Sequence, residues 1–155
     1  MSTEKQRFSN NIQIKNRKAG FEYEFLDKYE AGIILKGTEI KSLREGKASV
    51  QEAYCHVHND EIFIKGMTIS PYRESSFHSH DQQRERKLLL KKKEIGKIKS
   101  KTEERGLTIV PTRVYINKRG YAKVEIAVAR GKKIYDKRDS IKKKDQDREL
   151  QRMKI

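Results

Sequence analysis

Four histidines and one cysteine are the residues of this 155-residue chain whose types suit a metal site. His56 and His58 share one face of an expected strand and Cys55 points to the other, so a metal held there needs ligands from elsewhere. His78, His80 and Asp81 form a second cluster, but they fall in a loop-like stretch with no second Cys to complete a zinc set. Ordinary polar surface is the expectation for both. Gly32 and Gly37-Thr38 have the spacing of a phosphate-binding loop and lack its Lys. Carboxylates are plentiful, yet those of the body mostly alternate with apolar residues on wet positions, and their pairing is unreadable at this level. These residues make no catalytic constellation, so no enzyme activity, metal or cofactor is expected.

The chemistry that the chain does offer is cationic. It has 37 Lys and Arg against 22 Asp and Glu, a net charge of +15. Met1 to Gly20 carries +4 and Phe21 to Gln83 carries −4. Arg84 to Arg105 then carries +6, Gly106 to Arg130 carries +4 and Gly131 to Ile155 carries +5. A surplus confined to defined stretches is what a protein needs to lay particular surfaces on a polyanion, whereas solubility alone asks for no such clustering. With 38% charged and 34% apolar residues, the chain supports one small domain and a segment that does not pack, which argues against an enzyme with a large two-lobed cleft. Its apolar runs, Ile33 to Leu35 and Leu88 to Leu90, fall far short of the roughly 20 residues that cross a bilayer, and Met1 to Gly20 has no apolar signal core. No membrane span or secretory signal is expected. A lone Cys55 excludes an internal disulfide and suits a reducing cytosol, so a cytoplasmic protein is expected.

Short antiparallel strands are the elements that must carry this charge. Phe21, Tyr23 and Phe25 alternate with Glu22 and Glu24, which predicts a first strand. Ile40 and Leu43 fall on one face of a short helix opened by Gly37-Thr38-Glu39 and ended by Gly46. Val50 to His58 and Glu61 to Met67 flank the turn pair Asn59-Asp60 and predict a hairpin, with Ile62 and Ile64 inward. Ser70 to Gln83 reads as a long loop. Arg84 to Arg105 reads as the best helix, with Leu88, Ile95 and Ile98 on a stripe and Gly106 as its stop. Leu107 to Ile116 and Tyr121 to Ala129 predict two strands around Asn117-Lys118-Arg119-Gly120, with Ala122, Val124, Ile126 and Val128 facing the core. The fold class expected is therefore mainly β with a few helices, a small closed antiparallel barrel ending near Arg130.

Residues 131–155 read as a separate tail. The apolar side chains share no helical face, since Ile141 and Leu150 point to opposite sides at 100° per residue. Such a segment is expected to be disordered when free and helical only against a partner. A barrel bearing exposed aromatics and cations commonly binds RNA, and Tyr115 and Tyr121, beside Lys118, Arg119 and Lys123, are candidate stacking platforms.

Several motifs carry a resemblance over almost the whole chain, from about Asn16 to Arg152. Asn16-Arg17-Lys18, Phe21-Glu22-Tyr23, Tyr29-Glu30-Ala31-Gly32-Ile33, the run from Gly37 through Lys47, Arg86-Lys87-Leu88-Leu89-Leu90, and Gly131-Lys132-Lys133 with Asp136-Lys137-Arg138 occur in the order and spacing of the bacterial SsrA-binding protein (small protein B) family. The resemblance implies a barrel of the oligonucleotide-binding type and a role in trans-translation. Its partners would be the tRNA-like domain of transfer-messenger RNA (tmRNA) and the stalled 70S ribosome, including 16S rRNA at the decoding centre, with the chain acting as a monomer. On the same ground Asn16, Arg17, Lys18, Glu30, Gly32, Leu89 and Lys123 would bind RNA. Gly131, Lys132, Lys133, Tyr135, Asp136, Lys137, Arg138, Lys142 and Lys143 would form the part of the tail that occupies the empty mRNA path.

Overall fold

A computed structural model describes residues 12–72, 80–104, 106–132, 144–146 and 148. The chain enters through β1 (Gln13–Lys15) and a six-residue helix, α1 (Arg17–Glu22), then runs through the long β2 (Tyr23–Ile33). Helix α2 (Gly37–Arg44), β3 (Ala48–Ser49), β4 (Tyr54–His58), β5 (Glu61–Lys65) and β6 (Thr68–Ile69) follow. The second half holds β7 (Arg86–Leu89), α3 (Lys92–Thr102), β8 (Leu107–Ile116) and β9 (Ala122–Gly131). The molecule is thus mainly β with a few helices.

Among the described residues all strand pairings are antiparallel. The main sheet runs β1-β8-β4-β5-β7-β2-β9, and β9 pairs again with β8, so the path β8-β4-β5-β7-β2-β9 returns to its start. β3 and β6 form a small separate pair. The two hairpins sit where the turn chemistry puts them. Asn59 and Asp60 take positive φ of 49° and 58°, the left-handed pair that matches the twist of two strands. Val114, Ile62, Ile64, Val124, Ile126 and Val128 are fully buried and meet Leu43 of α2 and Ile98 of α3 in one core. Each such side chain contributes about 1.5–3 kcal/mol on burial.

Three readings of the sequence require correction. Phe21 belongs to α1 rather than to the first strand, because Asn16 caps a helical turn that runs through Glu22 before β2 begins. The long helix expected over Arg84 to Arg105 is a strand, β7, followed by the shorter α3. β7 is extended because Arg86 and Leu88, two apart, both point inward, Leu88 into the core and Arg86 onto a buried carboxylate. That carboxylate is Glu39 at the start of α2, which shows no exposed surface, an exception among carboxylates expected to lie mostly on wet positions.

Glu39 and Arg86 tie three segments together. Oε1 of Glu39 accepts from the Lys36 backbone N–H at 2.8 Å and from Arg84 Nη2 at 2.6 Å, while Oε2 accepts from Arg86 Nε at 2.5 Å. Arg86 then donates to the carbonyls of Met67, Arg84, Asp81 and Gln82. Burial alone raises a carboxyl's pKa, but here the two guanidinium groups and the backbone N–H outweigh it and hold Glu39 below the usual carboxylate range. His80 is also buried, not surface as expected, bonding Thr38 Oγ1 and the Ile69 carbonyl at 2.9 Å each.

Candidate nucleic-acid interface

Pairing register places four residues of β8, β9, β2 and β7 in one outward row. Tyr115 lies opposite Lys123, Lys123 opposite Gly32, and Gly32 opposite Leu89. The next outward row holds Arg113, Glu125 and Glu30. Between them Val114, Val124 and Ala31 point into the core, as the two-residue period of a strand demands. Three residues the sequence singled out, Gly32, Leu89 and Lys123, therefore meet in space, and Glu30 stands one row away.

Lacking a side chain, Gly32 leaves a groove of about 310 Å³ between Leu89 and residues 120–123. Leu89 is 51% and Tyr121 65% exposed at its rim, so the face offers apolar and aromatic surface beside the Lys123 ammonium. Tyr121 is the free stacking platform. Tyr115 is not, because Arg113 already covers its ring, with the guanidinium carbon 4.3 Å from the centroid. Glu125 accepts from Thr112 Oγ1 at 2.8 Å and Arg113 Nε at 3.0 Å, with Lys28 Nζ at 3.6 Å. Burial pushes the Glu125 pKa up, but these donors and cations more than offset it and hold the carboxyl below its ordinary value.

The other expected RNA-binding residues lie elsewhere. Asn16 is only 5% exposed, and its polar side chain is fully engaged inside the protein. Its Oδ1 accepts from the Ala19 N–H at 3.1 Å, and its Nδ2 donates to the carbonyls of Val50 at 3.0 Å and Pro111 at 2.8 Å. Arg17 is exposed on the helix this cap begins, and Lys18 bonds Glu52 at 2.5 Å beside a separate groove lined by Glu22, Tyr23 and Tyr54. We expect Asn16→Ala to lower unfolding stability by about 2–4 kcal/mol, from a lost cap and two buried carbonyls left unpaired. A urea titration in which the variant matches the parent would contradict this.

Of the tail, Gly131 ends β9 and Lys132 is held against α1, its N–H donating to the Glu22 carbonyl at 2.9 Å and its Nζ to the Gly20 carbonyl at 3.3 Å. Lys144 Nζ lies 5.9 Å from the Phe21 ring centroid. Lys133, Tyr135, Asp136, Lys137, Arg138, Lys142 and Lys143 lie outside the described residues, and the expectation of a free, disordered tail over 131–155 falls mostly on residues outside them. Three of the four histidines have side-chain or backbone partners within the described residues. His56 contacts Glu85 and stacks on Phe63 at 5.7 Å, and His58 lies 3.3 Å from the Asn59 amide. His78 lies outside the described residues, and among those described no three His, Cys, Asp or Glu side chains come together as a ligand set. Burial raises the Cys55 thiol far above its usual pKa, which keeps it protonated and unreactive. No described helix is long and apolar enough to cross a membrane.

Comparison with known proteins places this face in context. Residues 13–155 match the family model described as SmpB protein. An SsrA-binding protein of Cytophaga hutchinsonii is 59% identical over 145 residues, covering 94% of this chain and 95% of its own length. One from Parabacteroides distasonis is 53% identical over 148 residues, covering 96% and 97%. A solved chain described as "tmRNA-SmpB: a journey to the center of the bacterial ribosome" superposes with a TM-score of 0.69 at 43% identity, covering 84% of this chain and 94% of that one.

Proposed function

We infer function from membership: this chain belongs to the SmpB protein family. It is an RNA-binding factor of trans-translation that takes the tRNA-like domain of tmRNA to stalled 70S ribosomes. The observation that carries this reading is the row Tyr115, Lys123, Gly32 and Leu89, which joins a cation, an apolar rim and a groove on one face. A face of that kind suits single-stranded or looped RNA, whose bases need stacking surface and whose phosphates need positive charge. We propose that Lys123 meets phosphate and that Leu89 and Tyr121 take bases. Gly32 lets the RNA approach the backbone. Glu30 accepts from a base amine or ribose hydroxyl.

Asn16 contributes by setting the helical turn that carries Arg17 and Lys18, a second cationic patch. The returning strand path supports a closed barrel of the oligonucleotide-binding type as the RNA-binding domain, residues 1–130, acting as a cytoplasmic monomer. Residues 131–155 form the tail that fills the vacant mRNA channel and decoding centre, with Gly131, Lys132, Lys133, Tyr135, Asp136, Lys137, Arg138, Lys142 and Lys143 in contact with 16S rRNA. No cofactor enters this account, because binding alone explains the cations and the rim.

The test is a gel shift with the tRNA-like domain against an unrelated RNA duplex. Preference for the first is expected, and equal affinity for both would reduce the protein to a generic basic RNA binder. Glu30→Arg is expected to weaken binding to the tRNA-like domain by roughly tenfold, the loss of one charged hydrogen bond. Unchanged affinity in a filter assay at physiological salt would remove Glu30 from the interface.

A further inference from the structure

We propose that the outer side of helix α3, carried by Lys93 and Lys97 with Lys92 at its edge, is a phosphate-binding surface that grips the backbone of the same RNA that the Gly32 row receives. The inference rests on the reading of that row given above. Its starting point is the use the fold makes of the lysines of α3. Five of the eleven residues from Lys92 to Thr102 are lysines, and the body gives acidic partners to two of them. Lys99 Nζ meets Asp60 Oδ1 at 2.8 Å on the turn between β4 and β5, and Lys101 pairs with Asp27 of β2. With Ile98 fully buried and Ile95 packed on the same core, these two pairs dock the helix. Lys92, Lys93 and Lys97 are exposed and, among the described residues, have no acidic partner. Glu94, beside them in sequence, turns back to accept from the Lys91 N–H at 3.2 Å.

Helical geometry puts these cations on the side away from the core. At 100° per residue Lys93 and Lys97 each stand roughly 160° from Ile95 and about 40° from each other. Gly96 and Ser100 share that side and are exposed, and a methyl added at Gly96 would meet no atom within 4 Å. The surface beside the lysines is therefore open to a ligand. Like charges four residues apart repel and weaken a helix, so the arrangement does nothing for the fold itself. A polyanion laid across both lysines turns that repulsion into attraction. The two lie about 6 Å apart along the axis, comparable with the spacing of neighbouring phosphates on one strand. No apolar side chain stands between them to enter a lipid surface or a protein partner, which leaves charge as the means of recognition.

Position selects the RNA. Helix α3 starts at Lys92, just after Leu89 ends β7. Lys92 and Gly96 line a groove of about 460 Å³ with Asp60 and Glu61, next to Ile62, the β5 residue that pairs with Leu88. The lysines thus border the Leu89 end of the row. A strand that leaves that rim runs along α3.

The experiment measures the affinity of the full chain for a transcript of the tRNA-like domain, and for an unrelated RNA duplex, by filter binding over a range of salt. Each phosphate contact contributes about 0.7–0.9 to the slope of log affinity against log salt. The double variant Lys93→Gln, Lys97→Gln should therefore flatten the slope by about 1.4–1.8 and weaken binding roughly tenfold at physiological salt. Lys65→Gln, which removes an exposed cation of β5 outside both surfaces, should keep the parental slope. With the repulsion between positions 93 and 97 removed, the urea midpoint of the double variant should equal or exceed the parent's, which separates a lost contact from a damaged fold. A parental slope in the double variant, while the parent still prefers the transcript to the duplex, would overturn this proposal alone. A loss seen only in co-sedimentation with 70S ribosomes would overturn it too, by giving α3 to ribosomal RNA. So would a flattening by Lys65→Gln as large as that of Lys93→Gln alone, the signature of overall charge. A parent chain with no preference for the transcript would overturn the reading of the row itself.

Discussion

Replacing Glu39 by Ala should lower the unfolding free energy by about 3–5 kcal/mol, the cost of leaving a buried charge without its partner. Arg86, with no exposed surface, would keep its carbonyl acceptors but lose the anion that balances it. Arg84 would lose the same carboxylate. The damage should not stay local, because Glu39 opens α2 while Arg86 gathers Met67 and the 81–84 segment around β7, the strand that carries Leu89. Urea denaturation measures the effect, and a midpoint equal to the parent's would contradict it. The pH dependence has a definite sign. The carboxyl of folded Glu39 is held below its ordinary value, so between the two values the unfolded chain binds a proton that the folded one does not. Stability from this group is therefore fully present above the ordinary carboxylate pKa and is lost as pH falls through the depressed folded value. Glu39→Gln should flatten that part of the acid limb.

Truncation after Lys132 should separate the two activities proposed for the chain. Every strand of the main sheet ends by Gly131, and Lys132 already closes the chain against the Glu22 and Gly20 carbonyls. The shortened protein should bind the tRNA-like domain within about threefold of the parent, a difference of roughly 0.6 kcal/mol. Tagging of peptides on stalled ribosomes should fall to the background seen without the protein. Loss of both activities together would mean that the tail contributes to the folded body. Retained tagging would mean that it has no part in rescue.

How much of this was legible in the residues depends on the distance over which partners act. The 117–120 turn fixes its own hairpin. Counting outward from it pairs Tyr115 with Lys123 and Arg113 with Glu125, so half of the binding face follows from local turn chemistry. The inward set Ala122, Val124, Ile126 and Val128 was equally plain, because alternation is a local property. β7 was not. Leu88, Ile95 and Ile98 have helical spacing, and only Glu39, 47 residues before Arg86, makes an inward arginine acceptable in a strand. Asn16 shows the same limit from the other side. Its residue type suits a helix cap, yet the carbonyls that fix it come from Val50 and Pro111, which no nearby pattern reveals. The row that joins Lys123 to Leu89 needs the pairing of β2 with both β9 and β7, a contact order beyond any short window.

The most direct test of the account is site-specific photocrosslinking to tmRNA in the absence of ribosomes, with excess tRNA as competitor. One probe, Tyr121→p-benzoylphenylalanine, sits on the rim of the Gly32 groove. The other, Phe63→p-benzoylphenylalanine, sits on β5, three strands from β9 by either direction along the pairing path. The account predicts crosslinks from position 121 to the tRNA-like domain that survive the competitor, and none above background from position 63. Crosslinks from position 63 with none from position 121 would contradict it.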